Sequence, residues 1–281
     1  MNEQWSLLGV VSQSWLRTDN YAPTGAKTSE YNDNGISKTF ALTFKPRPDI
    51  STYAAYADSI EQGDTAPSTA ANSGNSLKPY RSRQWELGAK MRFAELDANA
   101  AIFRLERPFA FTDPADNVFK EQGNQVNTGL EFGLRGEIYR CLSVYGGVTF
   151  LDPRLKDTAS PLTRGKDVVG VPRTQANLLM EHKVSPVPGL VVDANLHYTG
   201  KRAADAANTH HARSYTTLDL GARYITRAFG RSAVLRLAIL NATDERYWLS
   251  IFPGDINGSV GANSAFLGTP REIRLSASID L

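Results

Sequence analysis

The chain has 281 residues, of which 41% are hydrophobic, and its formal net charge is +2. This composition excludes a disordered segment, and the near-neutral charge gives no support to a nucleic-acid or other polyanionic partner. The single cysteine, Cys141, excludes an internal disulfide framework, and no apolar run reaches the roughly 18 residues of a membrane-spanning helix.

Segments in which apolar and polar residues alternate follow one another along the chain. They lie near residues 6–17, 38–45, 51–60, 84–93, 96–102, 126–138, 142–150, 173–181, 190–198, 218–224, 235–239 and 272–281. In the last segment, Ile273 and Leu275 alternate with Arg274 and Ser276 without a miss. A period of two indicates a β-strand with one apolar face, and no segment of helical length keeps an apolar stripe of period 3.6. The sequence therefore predicts an all-β fold of about twelve strands.

The connections between these segments alternate between short and long. The short ones are 46–49, 94–95, 140–141, 185–189 and 228–230, and the long, polar ones are 18–37, 61–81, 108–125, 152–170, 202–214 and 242–268. This alternation predicts an antiparallel up-and-down sheet with its tight turns at one end and its long loops at the other.

Three features favour lipid as the surroundings of the apolar face. The predicted strands run about nine to thirteen residues, which is longer than the ~5–6 of soluble sheets and suits a tilted transmembrane strand. The polar face carries charges of both signs, such as Glu131 with Arg135 and Asp219 with Arg223. The loop asymmetry is typical of an outer-membrane barrel. We therefore predict an antiparallel up-and-down transmembrane β-barrel, with a soluble barrel or β-sandwich as the alternative.

The chain contains none of the common catalytic or nucleotide-binding motifs: no G-x-S-x-G, H-E-x-x-H, P-loop or G-x-G-x-x-G. The adjacent pair His210 and His211 does not form a metal site, because such a site needs more than two ligands and because the side chains of adjacent residues point in different directions. We therefore predict that the protein is not an enzyme and uses no cofactor or metal.

The predicted long loops carry several aromatic residues: Tyr21, Tyr31, Phe109, Phe111, Phe119, Trp248, Phe252 and Phe266. Exposed loop aromatics are candidate ligand anchors, because they offer a large contact area at a small cost in conformational entropy. The alternative is that they pack the loops onto one another.

Several short segments of the sequence occur in a characteristic order and spacing. They are 77–79 (LKP), 84–90 (QWELGAK), 171–173 (VPR), 187–190 (VPGL), 198–202 (YTGKR), 206–209 (AANT), 215–219 (YTTLD), 241–248 (NATDERYW) and 268–271 (GTPR). Together they resemble the TonB-dependent siderophore receptors, and the resemblance covers most of the chain.

The resemblance implies a fold, a function and a location. Members of this family are 22-stranded outer-membrane barrels closed by an N-terminal plug, and they take up ferric siderophores with energy delivered through TonB. Residues 1–281 are then expected to form a partial receptor barrel, equivalent to the second half of the strands, in the outer membrane of a Gram-negative bacterium. The expected partners are a ferric siderophore, outer-membrane lipid and, for a complete family member, TonB. The expected ligand residues are Trp248, Phe252 and Phe266 in the last long loop, with Phe111 as a weaker candidate.

Several expectations follow from departures from the family pattern. The plug, the early strands, the TonB-contacting segment and a signal peptide are expected to be absent, and Leu281 stands where the family usually has an aromatic residue. Half a barrel has two unpaired edges, which lipid does not tolerate. We therefore expect the chain alone not to support active uptake. The alternatives are a small passive porin-like barrel and a soluble β-sandwich binding module.

Overall fold

The computed structural model describes residues 4–228, 230–252 and 264–280. The regular structure in these ranges is entirely β. The strands are β1 (Trp5–Tyr21), β2 (Lys27–Arg47), β3 (Ile50–Glu61), β4 (Tyr80–Phe93), β5 (Leu96–Thr112), β6 (Phe119–Tyr139), β7 (Leu142–Asp157), β8 (Thr174–Lys183), β9 (Leu190–Thr199), β10 (Arg202–Ala203), β11 (His211–Ala212), β12 (Tyr215–Ala228), β13 (Arg231–Leu240), β14 (Trp248–Phe252), β15 (Ser264–Leu267) and β16 (Glu272–Ile279). Within the described ranges, no helix has the length and apolar character needed to cross a membrane.

Twelve strands form one sheet in the order β1-β2-β3-β4-β5-β6-β7-β8-β9-β12-β13-β16. Every neighbouring pair is antiparallel, from β1 with β2 to β13 with β16. The two remaining pairs, β10–β11 and β14–β15, are small hairpins within the last two long connections. The prediction of about twelve strands in an up-and-down sheet is thereby confirmed, and the sheet is not split into the two packed layers of a sandwich.

Several strands are longer than the sequence pattern predicted. β2 and β6 each have 21 residues. The predicted loops 18–37 and 108–125 are wrong, because Thr18 pairs with Tyr31 and Pro108 pairs with Asn124. These stretches carry no regular apolar–polar alternation, and backbone pairing continues through them to short turns at 22–26 and 113–118.

The sheet has one apolar face and one polar face. Phe132 of β6 pairs with Ala100 and Val148 on the apolar face, whereas the next residue, Glu131, pairs with Ala101 and Thr149 on the polar one. The apolar face leaves large side chains exposed along its whole width: Leu7, Leu42, Leu87, Ile102, Leu130, Phe132, Leu235, Leu275 and others. We call it the outward face, and the polar one the inward face.

Two inward glycines let aromatic side chains of a neighbouring strand lie flat against the sheet. A Cβ atom at Gly88 would stand 2.5 Å from the ring of Tyr53, and one at Gly129 would stand 2.3 Å from the ring of Phe103. A larger residue at either position would collide with the ring, so the inward wall needs glycine there.

Buried apolar clusters lie where the long connections fold onto the sheet. We call this end of the sheet the loop end; it carries connections 22–26, 62–79, 113–118, 158–173, 200–214 and the described parts of 241–271, which are 241–252 and 264–271. The clusters are Ala66, Ala70, Tyr80, Ala110 and Phe119; Phe109, Leu155 and Val168; and Val169, Ala212 and Ile251. A single sheet has no second layer to pack against, so its loops supply the compact part of the fold.

Candidate functional site

A cavity of about 380 Å³ opens at the loop end of the sheet. We call it the loop cup, and define it by its lining: Arg107, Gln125, Val168, Val169, Gly170, Val171, Pro172, Gln175, Thr199, Arg202, Tyr215, Leu249, Ser250, Ile251 and Phe252. The loop-end parts of β5, β6, β8, β9 and β12, together with Arg202 of β10, supply most of its polar side chains. Two long connections, 158–173 and 241–271, supply its apolar wall.

The first wall of the loop cup is the connection 158–173, which ion pairs hold to the sheet. Asp167 is 3.2 Å from Arg154 Nη1 and 2.8 Å from Arg173 Nη2. The hydrogen bonds from Arg173 keep the pKa of the Asp167 carboxyl below its ordinary value, although partial burial opposes this effect. Val168 follows directly and packs on the fully buried Leu155. The ion pairs therefore place the apolar segment 168–171 over the cavity.

Asn208 joins the second connection, 200–214, to the first. Its Oδ1 accepts a hydrogen bond from the Asp167 amide at 2.8 Å, and its Nδ2 donates to the Asp167 carbonyl at 3.0 Å and to the Asp205 carbonyl at 3.1 Å. Its backbone φ is 60°, a left-handed conformation that asparagine adopts more readily than most residues. One side chain thus couples two walls of the loop cup.

Asp205 organises the turn between β10 and β11. Burial of the Asp205 carboxyl raises its pKa, but the hydrogen bonds it accepts outweigh this effect and lower the pKa to about 2. The donors are the backbone amides of Thr209 and His210 and the side chains of the same two residues. His210 is therefore part of a local turn, with its Nδ1 atom 3.2 Å from the carboxylate.

The third wall is the β14–β15 hairpin, which Arg202 fastens to the sheet. The Arg202 guanidinium donates hydrogen bonds to the carbonyl of Leu249, at 3.0 Å, and to the carbonyl of Trp248. It lies 5.5 Å from the ring centre of Tyr215, which in turn stacks on Tyr247 at 4.2 Å. A buried side chain of β10 therefore fixes the aromatic hairpin over the loop cup.

Asn241 fixes the chain at the start of this last connection. Its Nδ2 donates to the carbonyls of Glu245 and Thr269 at 2.9 and 3.0 Å, and its Oδ1 accepts from the Glu245 amide at 2.9 Å. Arg213 donates to the Glu245 carboxylate from the neighbouring connection at 3.1 Å. The two ends of the connection 241–271 are thus held together beneath the hairpin.

The structure brings three of the four predicted ligand residues onto one hairpin. Phe252 lines the loop cup and meets Phe266 edge to face at 5.8 Å, and Trp248 starts the same hairpin opposite Leu267. The exposed fractions of Trp248, Phe252 and Phe266 are 43%, 53% and 57%. Contact of these residues with a ligand stays a prediction.

Phe111, the weaker candidate, lies elsewhere. It belongs to β5 and not to a loop, stands 6.1 Å from Phe109, and packs on the cluster that contains Val168. These contacts are typical of a residue that packs the fold beside the loop cup. Contact of Phe111 with a ligand stays a prediction. Tyr31 and Phe119, which the sequence placed in exposed loops, are buried.

Sequence reasoning missed the polar lining of the loop cup. Arg202, Tyr215, Thr199 and Gln175 come from the ends of three strands and from one short hairpin strand, all within residues 175–215. Arg202 and Tyr215 lie within the segments YTGKR and YTTLD. Neither segment shows by its sequence that Arg202 is buried, so no local signal could have found it.

Two other features of the described residues bear on the choice of site. Among the described residues, no three His, Cys, Asp or Glu side chains are grouped so as to hold a metal ion. A larger cavity of about 630 Å³ lies at the opposite, tight-turn end against the inward face. Two arginines of its lining share one carboxylate, since Asp97 pairs with Arg92 at 2.8 Å and with Arg135 at 3.1 Å. The loop cup, with exposed aromatics on its rim, is the better candidate.

Comparisons with known proteins give a consistent result. A family model described as "TonB dependent receptor-like, beta-barrel" matches residues 1–242. The ferrichrome receptor FcuA of Yersinia enterocolitica is 31% identical over 250 residues, which are 87% of this chain and 32% of that protein. The probable TonB-dependent siderophore receptor PiuA of Acinetobacter baumannii is 29% identical over 276 residues, which are 92% of this chain and 36% of that protein.

Among solved structures, BauA, the ferric preacinetobactin receptor from Acinetobacter baumannii, superimposes with a TM-score of 0.83 at 29% identity. The match covers 100% of this chain and 41% of BauA. The chain therefore spans about a third of the length of the curated relatives it matches.

Proposed function

Because the chain belongs to the TonB-dependent receptor-like β-barrel family, we propose that it is part of an outer-membrane receptor for a ferric siderophore and that the loop cup binds this ligand. The observation that carries the proposal is the position of the loop cup. It lies at the loop end of the sheet, under a hairpin that exposes Trp248, Phe252 and Phe266. Aromatic side chains around a cavity with a few polar donors are typical of small-molecule sites.

The outward face supports a place in the outer membrane. Large apolar residues such as Leu87, Phe132 and Leu275 are exposed on it, and a soluble protein rarely exposes so wide an apolar surface. Aromatic contacts lie toward both ends of this face: Tyr56 is 5.6 Å from Trp85 toward the loop end, and Trp5 stacks on Phe44 at 4.4 Å toward the tight turns. Aromatic girdles at both interfaces are a feature of outer-membrane barrels.

The sheet edges bear on how the receptor works. β1 and β16 end the strand order of the described sheet, and each unpaired backbone group at an edge costs several kcal/mol in lipid. We propose that further strands or another chain must cover these edges, that the 281-residue polypeptide alone does not carry out active uptake, and that uptake by the whole receptor depends on TonB.

The uptake proposal is tested in a strain that lacks its own receptor. The 281-residue chain is secreted with an added signal sequence, and entry of radiolabelled ferric siderophore is measured beside a complete receptor. We expect no energy-dependent uptake from the chain alone, and restored uptake would overturn this part of the proposal. The porin-like alternative predicts conductance steps in a planar bilayer.

The ligand role of the loop cup is tested by binding. Purified protein in detergent is titrated with ferric siderophores, and Phe252→Ala is compared with Phe93→Ala, which removes an even more exposed aromatic (71% against 53%) at the opposite end of the sheet. Truncation of an aromatic anchor costs about 1–2 kcal/mol, or about five- to thirty-fold in affinity. We expect this loss for Phe252→Ala and none for Phe93→Ala. Equal affinities for the two variants would place the ligand elsewhere.

A further inference from the structure

Arg202 is a buried guanidinium whose hydrogen bonds go to neutral groups. Only 3% of the residue is exposed. Its two terminal nitrogens donate to the carbonyls of Trp248 and Leu249, and its Nε atom is buried without a hydrogen-bond partner. No carboxylate in the described parts of the chain lies within ion-pair distance of it. Buried charges in proteins are normally paired, because desolvation of an unpaired charge is expensive.

The other charged residue of the loop cup does not balance Arg202. Arg107 forms a two-pronged ion pair with Glu61, at 2.8 Å from Nε and 3.0 Å from Nη2, so its charge is compensated. Among the residues that the structure describes, the lining of the loop cup includes no aspartate and no glutamate. Within this part of the chain, the charge of Arg202 is therefore left over. In partly desolvated surroundings its field reaches further than it would in water.

The first connection beside the loop cup adds to the positive field, because residues 152–173 contain five arginines and lysines against three aspartates. Gln125, Gln175 and Thr199 supply uncharged side-chain donors inside the loop cup. A cavity with cationic surroundings, neutral donors and no acid in its lining is complementary to an anion.

We infer that the ligand of the loop cup is an anionic ferric chelate, of the tris-catecholate or carboxylate class, in preference to an uncharged ferric tris-hydroxamate. The inference rests on the proposed function, since it specifies the charge of the ligand at the same site. Arg202 acts through its field and by holding the hairpin, so it is a positioning residue that also sets specificity.

The experiment compares two chelates of the same metal. Purified protein in detergent is titrated with a ferric tris-catecholate, which carries three negative charges, and with an uncharged ferric tris-hydroxamate, and binding is followed by quenching of tryptophan fluorescence. We expect the catecholate to bind at least about tenfold more tightly at low salt, and this ratio to shrink as ionic strength rises.

Variants separate the charge of Arg202 from its packing. We expect Arg202→Met to weaken the binding of both chelates, because the hairpin loses two hydrogen bonds, and to weaken catecholate binding about tenfold more than hydroxamate binding, because only the catecholate is charged. Lys201→Met removes a charge from the adjacent, exposed position and should change neither by more than about twofold. Arg202→Lys keeps the charge and should retain most of the preference.

The outcomes are distinguishable. If Arg202→Met does not fold, the salt dependence of the two affinities in the unaltered protein still tests the inference. Equal or tighter binding of the uncharged chelate would overturn the inference and leave the proposed function standing. Failure of both chelates to bind would overturn the proposed function itself.

Discussion

Replacing Phe132 by arginine tests which face of the sheet lies in lipid. Phe132 is at the middle of the outward face, with 42% of the residue exposed. A phenylalanine buries roughly 200 Å² when covered, so about 80 Å² here meets the surroundings. Lipid contact over this area contributes about 2 kcal/mol, and an arginine near the bilayer midplane costs about 2–4 kcal/mol. We expect Phe132→Arg to lower the free energy of unfolding in a bilayer by about 4–6 kcal/mol.

The matched control is Thr149→Arg on the neighbouring strand. Thr149 faces inward and donates a hydrogen bond to Glu131 at 3.4 Å, so a guanidinium there meets a carboxylate and should change stability by less than about 1 kcal/mol. Unfolding by guanidinium chloride is followed by tryptophan fluorescence after the complete receptor, with both edges of this sheet covered, is inserted into phospholipid vesicles. If Phe132→Arg keeps the unaltered midpoint, or if both variants lose the same stability, the outward face is not in lipid.

Three further predictions concern the connections and the inward wall. Asn208→Ala removes three hydrogen bonds and leaves an alanine in a left-handed backbone conformation. We expect the free energy of opening of the first two walls of the loop cup, measured by hydrogen exchange, to fall by about 2–4 kcal/mol. Asp205 has a pKa of about 2 against an ordinary 3.8, so the stability that its ionised form gives the β10–β11 turn is fully present above about pH 4 and is lost as the pH falls through about 2. The protection of the amides of residues 204–210, corrected for the intrinsic exchange rate at each pH, should fall over that window, and a loss of protection at pH 6 would contradict the assignment. Gly129→Ala brings a methyl group against the Phe103 ring and should lower the free energy of chemical unfolding by about 1–3 kcal/mol. The control is Gly9→Ala, whose Cβ would meet nothing closer than 3.7 Å and which should lower it by less than about 0.5 kcal/mol. Similar losses for the two variants would refute the packing argument.

The sheet was predictable from sequence because lipid and the polar inward side impose opposite demands on alternate residues. The register keeps residues of like character in one row, as in Phe132 beside Val148 and Glu131 beside Thr149. The same reasoning failed where the strands run on beyond this region. Asp19 pairs with Glu30, and both are polar in a stretch where neither face is consistently apolar. Alternation vanishes there while backbone pairing continues, so strands were mistaken for loops.

The candidate site was only partly predictable. Trp248, Phe252 and Phe266 could be named because exposed aromatics in a long polar connection are unusual, and the structure keeps them exposed on one hairpin. Arg202 could not be named, because its importance depends on carbonyls 46 and 47 residues away along the chain. Phe111 was assigned to a loop that is in fact a paired strand. Each of these outcomes depends on contacts between distant parts of the chain, which a single sequence does not reveal.

The position of Trp248 gives the most direct test of the loop cup as the ligand site. A variant of the complete receptor that keeps Trp248 as its sole tryptophan is placed in vesicles that contain brominated lipid and is titrated with ferric siderophore. We predict that the ferric siderophore quenches Trp248 fluorescence to saturation and that brominated lipid has no effect, because the residue stands beside the loop cup and outside the bilayer. Quenching by brominated lipid, or no response to any ferric siderophore, would contradict the central claim that the loop end of this sheet holds the ligand.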